Sequence, residues 1–260
     1  MIALLKAALK RTPLYPVLAS YAFYARANRQ GTQEARMADF YRQFLRPNDL
    51  VFDIGANMGG RVNVFVHLGC RVVAVEPQAL CLAVLKRKFG RRINIWPGAI
   101  SDFIGRAELY VSDIHTLSSM SKEWIKRTAE SGRFFSQSDK TVLVDTTTLD
   151  ALCKSYGPPA FVKIDVEGHE QAVFRGLSCP IRSLSFEFAT ECMEATFSCL
   201  AHLNHLGSYE YNYSFGETME LHFTEWKSMS EIQSSLSRVD PLAWGDIYAR
   251  LRPHPGSVNS

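Results

Sequence analysis

Short apolar runs alternate with segments whose apolar residues recur every three or four positions. Strands feeding helices give this pattern. Leu50-Val-Phe-Asp-Ile54 is an apolar run of strand length that meets Gly55 at once, and residues 62–68 follow at helical spacing. Residues 71–75 predict a second strand, 79–89 a second helix and 93–96 a third strand. Consecutive βα units of this kind imply a parallel sheet with right-handed crossovers. The pattern changes over residues 103–140, where one strand-like run (106–111) and a short helix near 122–129 sit among Ser, Thr and charge. That composition predicts a mobile, substrate-facing insertion. The alternation then resumes with strand 142–146, helix 149–156, strand 161–165, helix 168–177, strand 183–188 and helix 192–206, and 209–215 and 247–251 close as strands.

The ends differ from the middle. Residues 1–46 read as a helical extension, broken by Pro13 and Pro16, resuming over about 18–45, and stopped by Arg46-Pro47-Asn48-Asp49. The expected organisation is therefore an extension (1–46), a main domain (47–251) and a disordered tail (252–260). The net charge of +3 is unevenly spread. Residues 1–46 hold eight Lys or Arg against Glu34 and Asp39, or +6, which leaves 29 − 8 = 21 basic and 26 − 2 = 24 acidic side chains elsewhere, or −3. A mildly acidic main body lacks the basic face of a nucleic-acid binder, so no nucleic-acid partner is expected. The mixed basic and apolar extension suits either a cap on the fold or peripheral contact with a membrane surface. The longest charge-free apolar stretch, residues 12–25, is 14 residues with two prolines. That is short of the ~20 a spanning helix needs, so no transmembrane segment is expected, and its broken, Tyr-rich character argues against a cleaved signal. Six cysteines without C-x-x-C spacing point to reduced thiols and a cytoplasmic setting.

Two constellations carry chemistry. In the first, Asp53-Ile-Gly-Ala-Asn-Met-Gly59, a strand turns through Gly55 and Gly59 into a helix, so that backbone can approach a ligand and free N–H groups point at it. Glu76-Pro77 ends the next strand, 21 residues after Gly55. An acidic residue there suits a ribose diol. The spacing Gly55-x-x-x-Gly59 is not G-x-G-x-x-G, which disfavours a dinucleotide. Asp53 would repel a phosphate and attract an amino group or sulfonium, so the chemistry favours S-adenosylmethionine. Asp102, in Ala99-Ile-Ser101-Asp102, is a candidate acceptor for an adenine amino group, with Ile100 packed on the ring. In the second constellation, Phe161-Val-Lys-Ile-Asp165-Val-Glu167-Gly-His169-Glu170, carboxylates and an imidazole cluster past a buried strand, where open α/β sheets bind ligands. Glu167 or His169 is the candidate base for a hydroxyl acceptor, and Asp165 the residue that orients the acceptor or the methionyl amine. Glu187 faces the same crevice or pairs with Lys163. Glu167 and Glu170 also suit a helix N-terminus. No fixed ligand geometry supports a divalent metal, although Mg²⁺ or Mn²⁺ is compatible with carboxylates plus His169. Thr147-Thr-Leu-Asp150 fits a capping box, and residues 116–120 a substrate mouth.

These motifs, together with Val73-Ala-Val-Glu-Pro77 and Thr148-Leu-Asp150, resemble the FkbM-type S-adenosylmethionine-dependent methyltransferases from about Leu50 to Phe188, and weakly at Gly245-Asp-Ile-Tyr248. The resemblance implies the α/β class I methyltransferase (Rossmann-like) fold. Its sheet has seven strands, mostly parallel with the last antiparallel, and helices on both faces. Here an N-terminal helical extension is added. It implies O-methylation of a hydroxyl on a sugar, glycan or polyketide-like small molecule. Carried over residue by residue, Asp53, Gly55, Asn57 and Gly59 would hold the methionyl part, Glu76-Pro77 the ribose, and Ser101 and Asp102 the adenine side. Asp165 to Glu170 would form the active-site edge, with Asp165, Glu167, His169 and Glu187 as catalytic candidates. Two other readings stand beside this one. The glycine spacing disfavours a nicotinamide-dependent oxidoreductase. The intact Asp165–Glu170 edge argues against a non-catalytic cofactor-binding scaffold.

Overall fold

The computed structural model describes residues 31–112, 117–132 and 140–252. The helices expected before residue 31, Thr116 of the expected mouth, and residues 253–260 of the expected tail lie outside these.

The chain begins with α1 (Gly31–Tyr41) and then lays down β1 (Leu50–Ile54), α2 (Gly60–His67), β2 (Arg71–Glu76), α3 (Ala79–Phe89) and β3 (Asn94–Pro97). An inserted lobe follows, of β4 (Ala99–Ile100), β5 (Gly105–Tyr110), α4 (Lys122–Glu130) and β6 (Thr141–Thr147). The main sheet resumes through α5 (Leu149–Tyr156), β7 (Phe161–Ile164), α6 (Glu170–Arg175), β8 (Ser183–Ala189), α7 (Met193–Leu206), β9 (Tyr209–Phe215), α8 (Met229–Leu236) and β10 (Trp244–Leu251).

Seven strands form one sheet in the order β3-β2-β1-β7-β8-β10-β9. All pairs as far as β8 are parallel, and β10 slots antiparallel between β8 and β9. This is the expected α/β, Rossmann-like class I architecture, with the final strand of the chain reversed. One face buries Phe52, Ile54, Val162, Ile164 and Phe186 against α5, α6, α7 and α8. The other buries Val51, Val72, Ala74 and Phe161 against α1, α2 and α3. The register decides which polar residues share the second face. Asp53 lies opposite Lys163, Lys163 opposite Ser185, Ser185 opposite Tyr248, and Glu187 opposite Asp246.

Three local readings are revised. The insertion forms a sheet of its own, β4-β6-β5, in which β6 pairs antiparallel with β5 and parallel with the two-residue β4. The helix α8 was absent from the periodicity reading, yet it opens on a full capping box between Ser228 and Glu231. At α5 the expected box of Thr147 with Asp150 is not made, and the cap is the next residue, Thr148. Thr148 caps Ala151 N at 3.1 Å, while Asp150 instead accepts from Ser178 N at 2.9 Å.

Residues 37–45 are pinned by aromatic contacts. The Phe44 ring stacks on Tyr248 at 5.8 Å and 10°, and Tyr41 meets Phe65 edge-on at 4.9 Å. The segment therefore belongs to the second core rather than lying on its surface. Among the described residues no helix is long and apolar enough to cross a membrane. Replacing buried Phe44 with Ala should cost about 3–5 kcal/mol in urea unfolding, whereas Ala at exposed Arg42 should stay within about 0.5 kcal/mol. A loss below about 1 kcal/mol for Phe44→Ala would show that this segment is dispensable to the core.

Candidate active site

The cleft opens where β1, β2 and β7 end. Gly55 turns out of β1 at φ +84°, and any Cβ there would fall 1.8 Å from the backbone oxygen of Asp165. Only glycine lets the two loops lie this close. Asn57 takes a left-handed φ of +50°, a conformation asparagine tolerates. Its backbone N–H is thereby aimed at Glu76 Oε2, at 2.8 Å, while Gln78 N donates to Oε1 at the same distance. Glu76 is buried, and burial pushes its carboxyl up to about 7 against the pull of those two N–H donors. Each carboxylate oxygen has accepted one hydrogen bond and keeps further acceptor capacity. The cleft beside it holds about 690 Å³ of empty space, its open mouth included, and Gly55, Asn57, Glu76, Pro77, Asp165 and Glu167 line it. Val75, Ile100 and Leu109 give it an apolar wall.

Other expected cofactor residues sit elsewhere. Asp53 does not line the cleft. It is enclosed within the sheet beside Lys163, where burial pushes it up to about 7 against the nearby Lys163 charge, and its Oδ2 has no hydrogen-bond partner among the described residues. Gly59 also lies away from the cavity. A Cβ there would fall 2.5 Å from Phe89 Cε2, so this glycine serves helix packing. Asp102 is engaged by Arg175 at 2.8 Å, which holds its carboxyl below the ordinary range. Ser101 is buried, with its hydroxyl 3.2 Å from both Asp102 Oδ1 and His169 Nε2. Of the expected mouth, Ser118 and Met120 do line the cavity.

The second constellation comes together past β7. Carboxylate oxygens of Asp165, Glu167 and Glu187 all lie within 4.8 Å of one another. Glu167 has a positive φ of +52° and is held by Ser119 Oγ, which donates to its backbone oxygen at 2.5 Å. Such a strained non-glycine backbone stands only where its surroundings fix it. Gly168 beside it leaves room for the Trp124 indole of α4. Burial and the neighbouring carboxylates hold Glu167 and Glu187 well above the ordinary carboxylate range. Glu170 is turned inward to its own loop, accepting from Val166 N and Gly168 N at 3.3 Å, so its role is that of a local cap. His169 lines the cleft, and burial holds its imidazole below the ordinary value. Glu187 lines a second, narrower cavity with Trp124, Cys192 and Thr196. The expected pairing of Glu187 with Lys163 is not made. Lys163 Nζ instead sits 2.7 Å from Asp246 Oδ1 and 3.4 Å from Asp165 Oδ2. The glycine and acidic motifs announced Gly55, Asn57, Glu76 and Asp165. Gln78, Ser118 and Trp124 had no signal beyond their nearness to those motifs.

No curated protein matches the chain. Among solved structures it is similar to a TehB-like SAM-dependent methyltransferase from Corynebacterium glutamicum, at 9% identity and TM-score 0.47, over 93% of this chain and 100% of that one. It is also similar to an O-methyltransferase from Bacillus cereus in complex with SAH, at 11% identity and TM-score 0.45, over 91% and 90%. A third is precorrin-6y C5,15-methyltransferase from Geobacter metallireducens, at 12% identity and TM-score 0.43, over 84% and 88%. Residues 53–221, more than half of the chain and spanning both constellations, match the methyltransferase FkbM domain, and the chain belongs to that family of methyltransferases.

Proposed function

We propose that the protein is an S-adenosylmethionine-dependent O-methyltransferase acting on a hydroxyl of a sugar, glycan or polyketide-like small molecule. One observation carries this. Buried Glu76, with acceptor capacity left on both oxygens, and the Asp165–Glu167 edge line the same cavity. In this reading the catalytic domain is residues 47–251, with 1–46 as its extension. A small acceptor is favoured over a nucleic acid by the −3 balance of residues 47–260. The free state of all six cysteines supports a reducing, cytoplasmic setting.

The residues present fit the cofactor. Glu76 offers its two oxygens to a pair of ribose hydroxyls, Gly55 and Asn57 bring backbone to the cavity edge, and Ile100 and Leu109 offer an apolar surface to a flat ring. Bound there, the cofactor supplies an electrophilic methyl group on a cationic sulfur. Asp165 presents a carboxylate to that cation. Transfer to a hydroxyl releases one proton, and Glu167 or Glu187, in its ionised form, is placed to take it, the carboxylate of a raised acid being the stronger base. His169 anchors Ser101 and thereby the start of the insertion. Asp53, Gly59 and Asp102 support the cleft from behind: Asp53 beneath Lys163, Gly59 in the α2–α3 packing, and Asp102 through Arg175.

Calorimetry should show saturable binding of S-adenosylmethionine, and a thermal-shift measurement should show none of NAD⁺. Glu76→Ala should weaken cofactor binding about 100-fold or more, because hydrogen bonds to a charged group contribute about 1.5–3 kcal/mol each. Unchanged affinity would sink the ribose assignment.

The carboxyls of Asp53, Glu76 and Glu170 are raised to about 7 from 3.8, 4.5 and 4.5. The folded chain therefore holds more protons than the unfolded one between those limits. Stability without cofactor should fall as pH rises through this window and go on falling above it as Glu167 and Glu187 ionise, the lowered His169 opposing only in part. Cofactor affinity should do the reverse, rising severalfold from about pH 6 to 8 as Glu76 ionises. Melting temperatures and calorimetric titrations across pH 5–8.5 test both signs. Purified protein given labelled S-adenosylmethionine and fractionated extract should place label in a small, alkali-stable product, and transfer should persist in EDTA. Label in RNA or protein would overturn the acceptor class.

A further inference from the structure

We propose that Lys163, braced by Asp246, is a positioning residue that orients Asp165 at the cleft and sets the proton occupancy of Glu167 and Glu187. The inference rests on the cofactor reading above, but assigns a role to Lys163 and Asp246, which do not line the cleft.

The Lys163 ammonium is fully enclosed, with its side chain 2% exposed. It lies 2.7 Å from Asp246 Oδ1 and 3.4 Å from Asp165 Oδ2, and those side chains are 6% and 38% exposed. It thus connects a buried carboxylate to one that opens on the cleft. The topology produces this contact. Lys163 and Asp165 alternate along one strand and its exit, so both project to the same side. Asp246 arrives on that side from the reversed strand β10, in register with Glu187. Every element packed around the ammonium contributes a group to its field. These are Asp53 from β1, Tyr41 from α1, Arg61 from α2, Asp246 from β10 with the Tyr248 hydroxyl donating to it at 3.4 Å, Asp165 after β7, and Glu167 and Glu187 above. Burial works against the Lys163 charge, and Asp165 and Asp246 nonetheless hold it well above the ordinary lysine value. The ammonium is a fixed positive charge beneath a crowded group of acids. Removing it must make those acids hold protons more tightly. Removing Asp246, which competes for it and repels them, must do the opposite.

These opposite signs separate positioning from mere structural support. S-adenosylmethionine and S-adenosylhomocysteine differ in the charge on sulfur, while their amino and carboxyl groups are shared. The ratio of their dissociation constants therefore reports the charge presented to the sulfur. Calorimetry with both ligands on the full chain from pH 5.5 to 8.5 should show preference for the sulfonium growing with pH, by at least about tenfold overall. Lys163→Gln should move the midpoint of that rise up by about one pH unit or more, and the isosteric Asp246→Asn should move it down. Should Lys163→Gln fail to fold, the direction of the Asp246→Asn shift decides alone. Midpoints that stay fixed, or that move together, overturn the positioning role while leaving the cofactor reading intact. Failure of the parent protein to bind either ligand overturns the cofactor reading, and this inference with it.

Discussion

Taking an ammonium out of water into a sheet is costly unless carboxylates meet it with good geometry, and breaking such a pair costs more than never making it. Lys163 sets this requirement at the centre of the fold. Its position on β7 between β1 and β8 leaves it no route to solvent. The parallel neighbour β1 places Asp53 opposite Lys163, and no ion pair between the two is among those of the described residues. The antiparallel β10 supplies the pair, because it carries Asp246 back past β8 to within 2.7 Å. The tertiary consequence is local rigidity. The β7 exit, where Asp165 leaves the sheet, is tied to the far strand of the chain across 83 residues of sequence.

That anchored exit is what the cleft is built on. Gly55 packs on the Asp165 backbone so closely that the β1 turn and the β7 exit have one mutual arrangement. Glu76 links the next turn through Asn57 N and Gln78 N. Ser119 reaches from the insertion to the backbone of Glu167, and the Trp124 indole fills the space that Gly168 leaves. Three strand exits and the inserted lobe thus meet through close backbone approach and through single side chains that reach to backbone. Pre-organisation of this kind keeps acidic groups at fixed separations even though they repel.

Most of the sheet was legible because its strands are short apolar runs punctuated by glycine, proline or charge, and the boundaries of α3, α5 and β9 agree with their periodic segments. What could not be read was facing. In Leu50–Ile54 every residue is buried, so the alternation that normally separates two faces is hidden, and Asp53 looks like a residue at a mouth when it is enclosed opposite Lys163. The same blindness left a pairing of Lys163 with Glu187 open across adjacent strands, because Asp246 enters only through a reversed strand. Asp102 lost its expected role to Arg175, 73 residues away, which no local spacing encodes. The α8 start was different, since Ser228-x-x-Glu231 is a readable capping signature.

The distribution of charge that results is unequal along the sheet. Within it, Lys163 and Arg61 offset Asp246, Asp53 and Glu217, with Arg61 meeting Glu217 at 2.6 Å. On the cleft side Glu76, Asp165 and Glu167 line one cavity, with Glu187 close behind, and among the described residues no Lys or Arg lines it. Burial answers part of the excess by keeping protons on Glu76, Glu167 and Glu187. The remainder calls for a ligand that brings its own positive charge. A diphosphate would meet these carboxylates as a like charge and pay several kcal/mol for the juxtaposition. A sulfonium meets them as the missing partner, and after methyl transfer that charge is gone, so the same electrostatics that favour the loaded cofactor favour release of the spent one.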